Sequence, residues 1–126
     1  MKASRTFKLL KSAEKKYNFS DGFKLLYCPW GNIFSSNIAF ISLNPGNAPE
    51  NAELRMVSDE RGNSYEIEMD VTKSPINEQF MMLCDFIENK PSDFLTGAAI
   101  PFRSNNWESL NLSLIHISEP TRQWQI

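Results

Sequence analysis

The chain has 126 residues, a formal net charge of −2 and a hydrophobic content of 41%, which is enough for one domain or part of one. It has no apolar run of membrane-spanning length and no secretory signal in MKASRTFKLLKSAEKK, so the sequence predicts a cytoplasmic protein with no membrane partner. The small negative net charge does not indicate a protein whose whole surface binds nucleic acid, although a local basic face remains open. Cys28 and Cys84 match no CxxC pattern, so we expect reduced thiols, one in a loop and one on a helix.

The first segment has the pattern of an amphipathic helix. Positions at roughly helical spacing define its inner face: Phe7, Leu10, Ala13, Glu14 and Tyr17. Lysines occupy its other faces: Lys8, Lys11, Lys15 and Lys16. These lysines have two interpretations, contact with a phosphate backbone or an ordinary solvated helix face, and the solvated face is the commoner of the two.

The segment from Ile38 to Gly46, IAFISLNPG, predicts a strand that ends in a functional loop. Its apolar run is too short for a helix and too uniform for a half-exposed strand, so we expect a central strand covered on both faces. Asn44, Pro45 and Gly46 then end the strand and present the Asn44 side chain at its carboxyl end, where ligands bind in open α/β sheets. The plainer interpretation is that these three residues are only turn formers.

The stretch from Asn47 to Lys73 is polar and charged. It predicts a long connection with one short hairpin or helical turn, and connections of this kind are usually functional lids or disordered inserts. Glu66, Glu68 and Asp70 alternate along one possible strand face and do not converge. The sequence therefore predicts no metal site, and it implies no cofactor.

A second helix and a second strand complete a βαβ pattern. Ser74-Pro75 is typical of an N-cap followed by proline at the first helical position, and Asn89-Lys90-Pro91 ends the pattern. The strand FLTGAAIPF, Phe94 to Phe102, then leads into Arg103. Because the two strands of a βαβ unit are parallel, we expect Asn44 and Arg103 to be neighbours in space. The helix carries its packed stripe at Phe80, Leu83, Cys84 and Ile87.

The chain resembles the N-terminal half of the uracil-DNA glycosylase superfamily in three segments. These are the first strand ending in LNPG, the helix with QFMMLCDFI and the second strand LTGAAIPFR. The resemblance covers roughly residues 23–110, and its motif-like parts are SLNPG and IPFR. It implies a truncated three-layer α/β/α domain with a parallel central sheet over residues 1–111. In the mismatch-specific and thymine-DNA branches, the asparagine that matches Asn44 holds the attacking water.

If the resemblance holds, the substrate is DNA and a deoxyuridine-like nucleotide is flipped out of the duplex. Asn44 would orient the water, since an amide does not titrate. Backbone amides around Gly46 and Asn47, next to Pro45, would contact base or phosphate. Tyr65 is either a stacking platform for the extruded base or an ordinary half-buried aromatic. Arg103 would contact a DNA phosphate or pair with Glu108 at the end of its strand.

The chain departs from the superfamily pattern in two ways. Gly97 stands where many members have a polar residue near the base-reading pocket, and the C-terminal half with its second, commonly His-containing motif is absent. A group of uncharacterised proteins with Leu-Asn-Pro-Ser-Thr after the first strand is also similar. The alternative function is therefore a non-catalytic nucleotide-binding or nucleic-acid-binding α/β module that shares the architecture.

The C-terminal residues resemble a translated sequencing-library adapter. The segment LSLIHISEPTR, residues 112–122, matches an in-frame reading of a transposase-type adapter, and residues 123–126 fit its continuation. We therefore expect native sequence to end at Asn111. His116, the only histidine, lies inside this tail, so no catalytic or metal-binding role is assigned to it. Without the tail the chain keeps 12 basic and 14 acidic residues and the same net charge.

Overall fold

A computed structural model of the protein describes residues 2–46, 48, 52–72 and 74–104. The described helices are α1 (Ala3–Lys16), α2 (Asn32–Ser35), α3 (Ser64–Ile67), α4 (Met69–Thr72) and α5 (Pro75–Ile87). The described strands are β1 (Phe23–Lys24), β2 (Ile38–Ser42), β3 (Arg55–Met56) and β4 (Phe94–Ala98). This mixture confirms the predicted α/β class. Asn47, Glu108 and the adapter-like tail lie outside the described residues.

Strands β2 and β4 form the predicted parallel pair. Ile38 lies opposite Phe94 and Ser42 lies opposite Ala98, and the chain between the two strands contains α5. The βαβ prediction is therefore confirmed. Since parallel strands point the same way, the loops that follow β2 and β4 leave the sheet at one edge, and this edge carries the candidate site.

The segment that contains β1 adds antiparallel pairing on the other side of β4. Leu26 bridges Gly97, the Tyr27 amide donates to the Thr96 carbonyl at 2.9 Å, and the Ala98 amide donates to the Leu25 carbonyl at 2.9 Å. Strand β1 also pairs in parallel with β3. Both named strand pairs are thus parallel, as predicted, and the isolated antiparallel bridges beside β4 are an addition that the sequence did not predict.

Strand β2 is not covered on both faces, so that prediction is wrong. Its residues alternate between half-buried and exposed positions, and Ile41 is 54% exposed. Ile38 and Phe40 pack against the buried cluster that includes Phe80 of α5 and Phe94 of β4. Within the described residues, β4 is the only strand that pairs with β2, so β2 lies at the edge and β4 is central. An apolar run reports β preference but not which neighbours cover the strand.

Helix α5 has the predicted boundaries. Ser74 adopts the extended backbone of an N-cap and Pro75 occupies the first helical turn, although the Ser74 side chain makes no capping hydrogen bond. At the other end Glu88 takes a left-handed conformation with φ of 57°, which stops the helix before Asn89. Phe80 and Cys84 of the predicted stripe are buried, while Leu83 and Ile87 pack against the same cluster.

Helix α1 is the predicted amphipathic helix, and its inner face packs on a second cluster. Leu10 and Ala13 lie against Phe23, Val57 and Phe102. The buried Glu14 carboxylate accepts from Arg55 Nε at 2.8 Å, so the helix is tied to β3 by an ion pair as well as by apolar contacts.

The connection after β2 contains β3, α3 and α4 in its described part, so it is more structured than one hairpin or helical turn. Glu66 lies in α3, Glu68 caps that helix and Asp70 lies in α4, so the three carboxylates do not share a strand face. No group of three potential metal ligands occurs among the described residues. The described helices include none that is long and apolar enough to cross a membrane.

Candidate functional site

The loop after β2 fixes the orientation of the Asn44 side chain. Its amide nitrogen donates to the Pro45 carbonyl at 3.0 Å and lies 3.5 Å from the carbonyls of Phe102 and Ser104. Because these backbone acceptors engage the nitrogen, the oxygen of the half-buried amide is the end left to accept a hydrogen bond. No hydrogen bond to that oxygen is present among the described residues.

The predicted proximity of Asn44 and Arg103 is confirmed. The Ser104 amide donates to the Pro45 carbonyl at 3.0 Å, and Arg103 Nη1 donates to the Gly46 carbonyl at 3.2 Å. These bonds join the loop after β2 to the loop after β4. The two loops therefore support each other at one edge of the sheet.

The buried Arg103 guanidinium is stabilised by hydrogen bonds to neutral backbone carbonyls. It is 6% exposed, and its Nε donates to the Leu54 carbonyl at 2.9 Å. Burial lowers the pKa of Arg103, while Tyr27 and the Glu68 carboxylate oppose this shift. A guanidinium stays charged in proteins. Among the described residues no carboxylate lies within ion-pair distance of it, and the expected partner Glu108 is outside those residues.

These loops border a cleft of about 470 Å³, which is a volume suited to a small ligand. The floor and walls come from β1 and the residues after it, the β2 loop, α3 and the start of α5. The residues that line the cleft are Lys24, Tyr27, residues 42–46, Ser64, Tyr65, Glu68, Ser74, Ile76, Asn77 and Arg103. Asn44, Pro45, Gly46, Tyr65 and Arg103 of the predicted set thus line one cleft.

Lys24 is a second buried cation in this cleft, and it was not among the site residues predicted from the sequence. It is 4% exposed, and its ammonium lies 3.6 Å from Glu68 Oε1, 3.9 Å from Asp59 Oδ2 and 5.0 Å from the centre of the Tyr27 ring. Burial lowers the pKa of Lys24, and the Glu68 and Asp59 charges oppose that shift. One signal was available, since Lys24 is the only charged residue in the apolar stretch FKLLYC.

Asp59 lies behind the cleft and holds its charged groups in place. Its carboxylate is completely buried and accepts from Arg61 Nε at 2.9 Å, Arg61 Nη2 at 2.8 Å and Ser64 Oγ at 2.7 Å. Burial alone would raise the pKa of Asp59, but the hydrogen bonds from Arg61 and Ser64 and the Lys24 charge lower it overall. Asp59 is therefore an ionised anchor for Lys24.

Tyr65 is packed as a core aromatic, which favours the second of its two interpretations. Its ring is 3% exposed and lies about 5 to 6 Å from the rings of Tyr27, Phe40 and Phe80. Burial among these rings leaves little of the Tyr65 ring surface for a stacked base. Its buried hydroxyl makes no hydrogen bond of ordinary geometry among the described residues. Burial raises the pKa of Tyr65, and the neighbouring Ser42 hydroxyl opposes this shift.

Two glycines near the site differ in whether the backbone around them requires a glycine. Gly46 does not have a left-handed backbone, and a Cβ built there meets no described atom within 4 Å, so the turn itself does not require glycine. At Gly97 a Cβ would lie 2.6 Å from the Leu25 carbonyl oxygen. The antiparallel contact between Leu25 and β4 therefore requires a glycine at this position.

Comparison with protein-family models, with curated proteins and with solved structures finds no match to this chain.

Proposed function

We propose that the protein is a DNA-repair glycosylase-like enzyme that hydrolyses the N-glycosidic bond of a uracil-type base, within a three-layer α/β/α domain. The observation that carries this proposal is the orientation of Asn44 at the cleft, with its amide nitrogen bound to backbone and its oxygen left as an acceptor. The SLNPG and IPFR motifs, which carry the resemblance, line or adjoin the same cleft.

The chemistry that this arrangement supports is water positioning. A flipped nucleotide would enter the cleft, because its glycosidic bond is inaccessible while the base is stacked. The Asn44 oxygen would accept a hydrogen bond from water and direct the water toward the anomeric carbon. As the new carbon–oxygen bond forms, the bond from that carbon to the base nitrogen breaks, and the proton that the water loses is taken up by the departing base. An amide cannot remove a proton, so Asn44 contributes orientation, which is worth a large factor when the geometry is rigid.

The buried cations of the cleft support the departure of the base. A uracil-type base that leaves without protonation carries negative charge, and preorganised cations stabilise such charge in a site from which water is excluded. Lys24 and Arg103 line the cleft, and Glu68 is the one carboxylate among the described residues that line it. In this proposal Pro45 and Gly46 form the rim. Asn47, also assigned to substrate binding, lies outside the described residues.

The test is single-turnover cleavage of a uracil-containing duplex by the full-length gene product. Asn44→Ala is expected to lower the cleavage rate by about a hundredfold or more, because the water loses its orientation, while DNA affinity changes far less. Asn37→Ala is the matched control, since Asn37 is an exposed asparagine that immediately precedes β2, at the opposite end of the strand from Asn44. A wild-type protein that releases no base from uracil-, hypoxanthine- or mismatch-containing DNA would overturn the enzyme proposal.

The second candidate is a non-catalytic nucleotide-binding module, and one observation favours it. Arg103 lines the cleft without a carboxylate partner among the described residues, and an anionic ligand would supply the missing countercharge. Equilibrium binding of deoxyuridine monophosphate separates the two candidates. Tight binding with no base release, lost in Arg103→Met and kept in Asn44→Ala, would favour the module.

A further inference from the structure

The exposed face of α1 carries charge of one sign. Its exposed charged residues, together with the N-cap residue Lys2, are Lys2, Arg5, Lys8, Lys11, Lys15 and Lys16, and all are basic. The first 16 residues contain six basic residues and one acidic residue, whereas residues 17–104 contain six basic and twelve acidic residues. Positive charge is therefore concentrated in the first 16 residues, although the net charge of the chain is only −2.

The single carboxylate of α1 does not reduce this surface charge. Glu14 is 5% exposed and is paired with Arg55 of β3, on the inner side of the helix. The apolar positions of that side, including Leu10 and Ala13, pack against the core. No carboxylate in the described part of the chain forms an ion pair with the exposed basic residues of α1. The apolar face of the helix is packed and is not free to enter a lipid surface.

The end of α1 lies beside the loop that follows β4. The Phe19 amide donates to the Glu14 carbonyl at 3.0 Å, and the Phe19 ring stacks on Phe102 at 4.6 Å between centroids. The Arg103 amide donates to the Gly22 carbonyl at 2.9 Å. The last turn of the helix, with Lys15 and Lys16, is thus connected through residues 19–22 to the loop that carries Arg103.

From these observations we propose that the exposed basic face of α1 is a docking surface for the phosphate backbone of a nucleic acid. At 1.5 Å per residue, the span from Lys2 to Lys16 is about 20 Å, which matches roughly six phosphates of one strand. Binding is driven by the release of counterions from the phosphates and does not depend on base sequence. The surface goes beyond the proposed enzyme, because docking requires neither base flipping nor bond cleavage.

The test measures binding of a fluorescein-labelled, undamaged DNA duplex by fluorescence anisotropy over a range of sodium chloride concentrations. The variant Lys8→Gln/Lys11→Gln/Lys15→Gln removes three charges from exposed positions. We expect its slope of log K against log salt to be smaller by about 2 to 3, since each lost phosphate contact removes roughly 0.9. Its affinity at low salt should be at least about tenfold weaker. An unchanged slope would overturn the proposal.

A matched pair of single variants separates location from net charge. Lys11→Glu and Lys90→Glu change the net charge equally, and both residues are exposed, but Lys90 lies beyond α5. We expect Lys11→Glu to weaken binding and lower the salt slope, and Lys90→Glu to have little effect. Equal effects of the two variants would show that only overall charge matters, which contradicts a defined surface.

Two further measurements identify the partner and keep the two proposals distinguishable. Vesicles of phosphatidylserine and phosphatidylcholine replace DNA in the first, and loss of vesicle binding with unchanged DNA binding in the triple variant would assign the face to lipid and overturn the proposal. In the second, Asn44→Ala should bind undamaged DNA like the wild type. A full-length gene product that binds through α1 and releases no base would remove the enzyme proposal and leave the docking surface in place.

Discussion

The cleft and the exposed face of α1 contain similar charged residues in opposite surroundings. In the cleft, Lys24 is 4% exposed and lies within 4 Å of two carboxylates, whereas Lys8 and Lys11 of α1 are exposed and no described carboxylate pairs with them. A buried charge fixes geometry, because removing its partner leaves an unsolvated ion. An exposed charge contributes little to stability but attracts ligands over a distance. The same residue type therefore supports the structure of the site in one region and association in the other.

The largest effect is expected from breaking the buried charge cluster. Asp59→Ala removes the carboxylate that accepts hydrogen bonds from Arg61 and Ser64 and lies 3.9 Å from Lys24. We expect a loss of about 3 to 5 kcal/mol in the free energy of unfolding, measured by urea denaturation. The control Asp85→Ala removes an exposed carboxylate from α5 and should change stability by no more than about 0.5 kcal/mol. Similar losses in both variants would contradict a special role for the cluster.

A smaller loss in the free energy of unfolding is expected when a side chain is added at Gly97, behind the cleft. Gly97→Ala places a Cβ 2.6 Å from the Leu25 carbonyl oxygen, so either β4 or the segment around Leu25 must shift. We expect a destabilisation of about 1 to 3 kcal/mol by the same denaturation measurement. In the control Gly31→Ala the added Cβ meets nothing within 4 Å, and that variant should be neutral or slightly stabilised. A neutral Gly97→Ala would show that the antiparallel contact with Leu25 is not close.

The smallest effect is expected in the pH dependence of stability, which should differ between the buried charge cluster and the exposed face of α1. The folded pKa of Asp59 lies below its ordinary value of 3.8, so the unfolded chain binds more protons between these two values. The stability that Asp59 contributes is therefore complete above about pH 4 to 5 and is lost as pH falls through the folded pKa. We expect Asp59→Asn to flatten this acid dependence in urea denaturation measured from pH 6 to pH 2.5. Lys11→Glu introduces an exposed carboxylate, whose contribution to stability is small, so its acid dependence should remain like that of the wild type.

Local sequence predicted α1, α5 and the parallel pairing of β2 with β4. The 3.6-residue spacing on α1, the Ser74-Pro75 start of α5 and the Asn89-Lys90-Pro91 stop are properties of adjacent residues, and all three match the structure. The alternation of strand, helix and strand also predicted that Asn44 and Arg103 would be neighbours, since a parallel pair ends at one edge.

Tertiary structure alone decided which groups surround the site and which faces are covered. The exposure of Ile41, the antiparallel approach of Leu25 to Gly97 and the burial of Lys24 beside Glu68 depend on segments far apart in the chain. Local periodicity carries no information about such partners. Asn44 was therefore predictable from its place at a strand end and Glu14 from its place on the inner face of α1, while the ion pair of Glu14 with Arg55 depends on how the helix packs against β3.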